Sequence, residues 1–152
     1  MGQHILLPTD GSALSRKTID AAMALAKRLG ARVHGLYVVP LLHPDYLDAF
    51  AYRDPGFVQR QKALFEHFAD EYLAVVRDAA QTAGVPCVCS KAYGADPAVC
   101  IVSSAHQFAC DMIYMASHGW SEDQPLGSVT AKVLRLSHVP VVVYKPAPAE
   151  RG

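Results

Sequence analysis

Ile5-Leu6-Leu7-Pro8-Thr9-Asp10-Gly11-Ser12 joins a short apolar run to a turn and a helix start. The run carries no polar alternation, as expected of a strand covered on both faces by other layers. Asp10, Gly11 and Ser12 then supply turn chemistry and capping side chains. From Ala13 onward, Leu14, Thr18, Ala22, Leu25, Ala26 and Leu29 fall on one helical stripe, and Gly30 takes the C-cap position. A second strand is expected at Arg32–Val39, stopped by Pro40. Strand, helix, strand in this order is the unit of a parallel sheet, because parallel neighbours need a crossover between them.

The same alternation runs outward to the end of the chain. Leu41–Gly56 has no sustained period and reads as a long loop. Phe57–Ala83 reads as a long helix, with Val58, Phe65, Phe68, Tyr72, Val76, Ala79 and Ala83 on its apolar stripe, Gln61 as the one break in it, and Gly84 closing it. A third strand is expected at Val85–Tyr93, with Cys87 and Cys89 on one face. Asp96 as N-cap and Pro97 at the first helical position open a helix to about Phe108. Met112–Ala116 is a fourth strand, Ser117–Leu126 a polar loop, Gly127–Leu136 a short helix and Val139–Tyr144 a fifth strand. The pattern predicts an α/β doubly wound parallel sheet with helices on both faces, formed by residues 1–146 as one domain, with 147–152 a flexible tail.

Composition narrows the classes of function. The chain has 152 residues with fourteen basic and fourteen acidic side chains, so its formal net charge is zero. That length supports one core without staples. No basic excess exists to displace counterions from a nucleic-acid backbone, so no nucleic-acid partner is expected. No run approaches the ~20 apolar residues of a membrane span, and no leader is read at the N-terminus. A cytoplasmic protein is therefore expected. Its four cysteines, Cys87, Cys89, Cys100 and Cys110, read as reduced, buried thiols.

In open parallel sheets, ligands sit beyond the carboxyl ends of the strands, where the strand order reverses. The segments that follow the strands are therefore the informative ones. Pro8-Thr9-Asp10 follows the first strand, and Ser117-His118-Gly119 follows the fourth. Gly127-Ser128-Val129-Thr130 then opens a helix. A glycine followed by hydroxylated residues at a helix start offers backbone N–H groups, the positive dipole end and two hydroxyls, a set suited to phosphate. The same pattern also serves as a plain helix cap, and that alternative stays open. Walker A, G-x-G-x-x-G, G-x-S-x-G, H-E-x-x-H and paired-cysteine zinc patterns are all missing. No metal site and no catalytic residue is read from the sequence.

ILLPTDGS at 5–12, GLYVVP at 35–40 and MASHG…LGSVTAKVLRLSHVPVVVY at 115–144 resemble the universal stress protein family over nearly the whole chain. The resemblance implies a Rossmann-like, five-stranded sheet in the order 3-2-1-4-5. It also implies a stress-response regulatory protein that binds an adenine nucleotide, ATP with Mg²⁺, between the ends of the first and fourth strands. On that reading Asp10 contacts the ribose or a phosphate-bound metal, and Val38 with the backbone of Pro8 and Thr9 holds the adenine. Met115, Ala116, Ser117, His118 and Gly119 line the ribose and phosphates, and Gly127, Ser128, Val129 and Thr130 bind phosphate.

The family's ATP motif spaces two glycines by two residues and the second from a final Gly-Ser/Thr by nine. Here Ala116 stands at the first glycine, and only seven residues separate Gly119 from Gly127. That loop holds Glu122 and Asp123, which oppose a triphosphate unless Mg²⁺ intervenes or they point outward. A nucleotide-free protein-interaction dimer therefore stands as the alternative. No base is placed to activate water, so at most slow ATP hydrolysis is expected. The last strand, Val139–Tyr144, would lie at a sheet edge and pair with a second copy, and the family's dimer implies the same. Lys132, one turn inside the last helix, reads as solvent-facing, with reach to a phosphate as the alternative.

Overall fold

The computed structural model describes residues 3–41, 54–120 and 126–146. Among these residues five strands and four helices alternate: β1 (His4–Pro8), α1 (Ala13–Leu29), β2 (Arg32–Pro40), α2 (Phe57–Ala83), β3 (Cys87–Gly94), α3 (Pro97–Gln107), β4 (Met112–Ala116), α4 (Ser128–Leu136) and β5 (Val141–Tyr144). All strand pairs are parallel, in the order β3-β2-β1-β4-β5. The doubly wound α/β sheet expected from the sequence is the fold observed.

The lack of alternation in β1 follows from its central place. Ile5, Leu6 and Leu7 are all fully buried, although successive side chains point to opposite faces. Ile5 and Leu7 pack with Ile19, Met23 and Val76 beneath α1 and α2, whereas Leu6 packs with Leu36, Ile101, Ile113 and Val133 beneath α3 and α4. Burying such an aliphatic side chain contributes about 1.5–3 kcal/mol, so β1 is the hinge of both cores.

Helix ends are set locally. Ser12 accepts from the Ser15 N–H at 3.2 Å, and Gly30 and Gly84 close α1 and α2 in the left-handed conformation. Asp96 accepts from Ala98 and Val99 at the start of α3, with Pro97 in the first turn as expected.

Several details differ from the sequence reading. The α1 stripe turns out to be centred on Leu14, Thr18, Ile19, Ala22, Met23 and Ala26, while Leu29 is exposed at the helix end. In α2 the buried line is Ala69, Leu73, Val76 and Ala80; Phe65, Phe68 and Tyr72 are only half-buried along its flank. Small residues let the helix approach the sheet, so the large rings that dominate the sequence pattern are displaced to the side. β3 and β5 each start two residues later than expected, after Pro86 and Pro140, whose missing N–H groups cannot join a ladder. Lys132 keeps over a third of its side chain in solvent and is also ion-paired with Asp96. Cys110 is buried, but Cys87, Cys89 and Cys100 are only partly so. Most of the 41–56 loop, the acids Glu122 and Asp123, and the expected tail at 147–152 lie outside the described residues.

Candidate functional site

The sheet opens where its strand order reverses. β1 pairs with β2 along its whole length, from His4↔Arg32 to Pro8↔Leu36, but with β4 only at Ile5↔Met112 and Leu6↔Ile113. Beyond Leu6 and Ile113 the two strands part. A cavity of about 420 Å³ occupies the gap at their carboxyl ends, as the strand-end rule requires.

Pro8, Thr9, Asp10, Val38, Met115, Ala116, His118, Gly119, Gly127, Ser128, Val129 and Thr130 all line this cavity. Of the residues singled out in the sequence, Ser117 alone does not. It is buried and works from behind, its Oγ 3.1 Å from Nδ1 of His118 and its carbonyl accepting the Gly127 N–H at 2.7 Å. Leu36, Tyr37, Pro40, Pro97, Ile101, Ser15 and Trp120 also line the cavity, and none of them was singled out. Leu36 and Ile101 are core residues by pattern, and the topology alone brings them to the cavity wall. Ser15 carried one local signal, a hydroxyl three residues beyond a cap, and its Oγ lies 2.7 Å from that of Thr9.

The floor of the site is built from the turn after β1. The Thr9 N–H donates to the Leu36 carbonyl at 2.9 Å, which ties the turn to β2. Asp10 Oδ1 accepts the Ser12 N–H at 2.9 Å, so one carboxylate oxygen holds the turn. The other faces Gly119, where a Cβ would stand 2.2 Å from Oδ2. Only glycine leaves room there for the carboxylate. Asp10 also acts on Tyr37: burial first, then Tyr72 and the Asp10 charge, push the Tyr37 phenol above its ordinary value and keep it protonated.

The opposite wall is the start of α4. Its N-cap is Gly127, with no side-chain capping hydrogen bond and no acid in the first turn. The first N–H groups of a helix have no partner inside it, and the dipole there favours an anion. Two of the expected donors are engaged within the protein. Gly127 N–H is bound to Ser117, and the Thr130 hydroxyl donates to the Ala116 carbonyl at 2.8 Å. The first-turn N–H groups of Ser128, Val129 and Thr130 and the exposed Ser128 hydroxyl are the remaining donors of this turn. Trp120, 70% exposed, forms the outer lip.

An open parallel α/β sheet with an apolar-walled crevice at its switch point, met by an uncapped helix start and a carboxylate, is the architecture observed. Residues 1–145 match the universal stress protein family, and the chain belongs to that family. It is 32% identical over 145 residues to a universal stress protein of Methanocaldococcus jannaschii, covering 94% of this chain and 82% of that protein. The fold is shared with universal stress protein UspA from Lactobacillus plantarum at a TM-score of 0.76 and 23% identity, over 94% of this chain and 97% of that one. It is shared too with a universal stress protein solved in complex with cAMP, at a TM-score of 0.66 and 23% identity over 94% and 96% of the two chains. A third, from Archaeoglobus fulgidus in complex with dAMP, matches at 0.62 and 15% identity over 95% and 98%.

Proposed function

We propose that this protein binds an adenine nucleotide in the cavity between β1 and β4 and acts as a cytoplasmic, homodimeric stress-response regulator. The observation that carries the reading is the meeting, in one cavity, of apolar walls for a base and an uncapped helix start for a phosphate. The cAMP and dAMP complexes of structurally similar proteins support the same ligand class. Val38, Leu36 and Ile101 suit the apolar faces of a purine. Ser128 and Val129 suit the first phosphate.

ATP with Mg²⁺ is compatible with this chemistry on one condition. The Asp10 carboxylate faces Gly119, beside the positions assigned to phosphate, and two like charges there repel unless a cation lies between them. Asp10 would be the residue to meet Mg²⁺, which favours carboxylate and phosphate oxygens together. Binding, with at most slow hydrolysis, is the activity proposed.

Trp120 is the single tryptophan of the chain and stands at the lip of the cavity, so its emission reports occupancy. AMP, cAMP and ATP with and without Mg²⁺ should each be titrated by calorimetry and by Trp120 fluorescence. Saturable binding of at least one of them is expected, and ATP affinity should rise with Mg²⁺. No heat and no emission change with any of these at millimolar concentration would defeat the proposal.

A second reading, a nucleotide-free interaction dimer, is favoured by the internal engagement of Gly127 N–H and the Thr130 hydroxyl. It predicts that adding an acid at Ser128 leaves partner capture unchanged.

A further inference from the structure

The cavity is poor in positive charge. Among the described residues that line it, Asp10 is the one acid, and there is no lysine or arginine. Lys132, the basic residue closest in sequence to the α4 start, is ion-paired with Asp96 beside Pro97. Positive potential on the wall is left to the first turn of α4, equivalent to about half an elementary charge. Its donors are few, because the Gly127 N–H is bound to the Ser117 carbonyl and the Thr130 hydroxyl to that of Ala116.

Asp10 and the α4 start flank the same turn, residues 117–119. On one side, a Cβ at Gly127 would stand 3.0 Å from the His118 Cα. On the other, Asp10 Oδ2 fills the space that a Cβ at Gly119 would need. The carboxylate is held there, since its other oxygen accepts the Ser12 N–H at 2.9 Å. One phosphate seated on the first turn of α4 therefore takes up the donors that turn has to offer. A second or third phosphate laid along 117–119 meets a fixed negative oxygen, with no lysine or arginine of the described wall to offset it.

We propose that the cavity selects a nucleotide with a single phosphate group, and that Asp10 is the residue that rejects di- and triphosphates. The inference rests on the adenine-nucleotide reading above and narrows it. A cyclic phosphodiester brings a single negative charge and a phosphomonoester about 1.5–2 at pH 7, and each further phosphate adds to the charge facing Asp10. Mg²⁺ bridging carboxylate and phosphate oxygens relieves part of this repulsion, so it narrows the preference without reversing it.

The test is calorimetry of the whole protein with AMP, cAMP, ADP and ATP, at fixed ionic strength and without Mg²⁺. AMP or cAMP should bind at least about tenfold tighter than ATP, with ADP between them. Asp10→Asn keeps an oxygen for the Ser12 N–H and removes the charge, so the ratio of AMP to ATP affinity should collapse towards one. The wild type gives an independent readout. Raising KCl from about 0.1 M to about 1 M shortens the screening length from about 10 Å to about 3 Å, and the same ratio should shrink. ATP binding as tightly as AMP and cAMP, or a ratio unmoved by Asp10→Asn (or by salt, where that variant does not fold), overturns the selectivity and leaves adenine-nucleotide binding in place. Heat from none of the four overturns the underlying reading as well.

Discussion

Gly119 and Ser128 separate binding from stability at the level of single residues. In Gly119→Ala the new methyl would stand 2.2 Å from Asp10 Oδ2, so the carboxylate must rotate and disturb its bond to Ser12. One such hydrogen bond is worth about 1 kcal/mol, so Tm should fall by only a few degrees. Nucleotide affinity should fall tenfold or more, because the displaced carboxylate enters the cavity. Ser128→Glu makes the opposite case for stability. An acid in the first turn of α4 favours the helix dipole by about 0.3–1 kcal/mol, yet places a negative charge where the phosphate would lie. Unchanged or raised Tm with at least tenfold weaker binding is expected. Equal affinity in the variant and wild type would remove the α4 start from the site.

These residues were legible in the sequence because a strand end, a turn and a helix start each leave a local mark. Tyr37, Pro97 and Trp120 were not, because their place at the cavity depends on which elements the topology brings together. The engagement of Gly127 N–H and of the Thr130 hydroxyl was illegible for a related reason. A Gly-Ser-x-Thr pattern lists donors, and only the fold shows which of them are already bonded.

At the scale of elements, the two ends of the sheet differ in character. The carboxyl ends of β1 and β2 frame the cavity, while their amino ends bury two imidazoles, His4 and His34. His34 stacks on Phe108 with ring centroids 4.0 Å apart and bonds Ser90 through Nε2 at 2.8 Å. Both ring nitrogens of His4 are buried with no hydrogen-bond partner, 5.7 Å from the His34 ring centroid to centroid. Burial first, then Arg32 for His4 and His4 itself for His34, holds both pKa values below the ordinary imidazole range; for His4 the Phe108 backbone and then Asp111 act the other way.

The sign follows directly. The unfolded chain binds protons at these positions from about pH 6.5 downward and the fold resists them, so the stability of the neutral pair is present above that pH and lost as pH falls. Thermal melts should show Tm dropping between pH 7 and 5, by about 2–4 °C per kcal/mol lost. His4→Leu should flatten that slope, since it removes one titrating group and two unsatisfied nitrogens. A wild-type melt that is flat over this interval would show the imidazoles to be uncoupled from folding.

The apolar pattern announced each of these elements, but not the angle at which α2 meets the sheet. There the aromatic positions 65, 68 and 72 dominate the hydropathy pattern, whereas the line through Ala69, Leu73, Val76 and Ala80 makes the contact. Hydropathy weights ring size, whereas close packing of a helix on a sheet favours the residues that let backbones approach.

For the molecule as a whole, zero net charge leaves no long-range repulsion between copies, and the sheet leaves an edge for them to meet on. β5 is that edge. Its inner side is fixed by the ladder: the carbonyls of Pro140 and Tyr144 accept from Ile113 and Ser117 of the β4 side, at 3.0 and 2.8 Å. Backbone groups alternate along a strand, so those of Val141 and Val143 face outward. Val141, Val142, Val143 and Tyr144 are each half-buried in the single chain, which leaves apolar surface for a partner to cover. An antiparallel pairing of two such edges about a two-fold axis would close the sheet and remove the aggregation hazard of an open strand.

Val143→Pro tests this without touching the β4 ladder. Proline is tolerated on an edge strand where the lost N–H faces outward, so the monomer should stay folded by circular dichroism. Light scattering should give twice the chain mass of 16.4 kDa for the wild type and 16.4 kDa for the variant. Nucleotide affinity should change little, because the cavity lies between β1 and β4, on the far side of β4 from this edge. A wild type that runs as a monomer at tens of micromolar, or a variant that remains a dimer, would place the interface elsewhere than on β5.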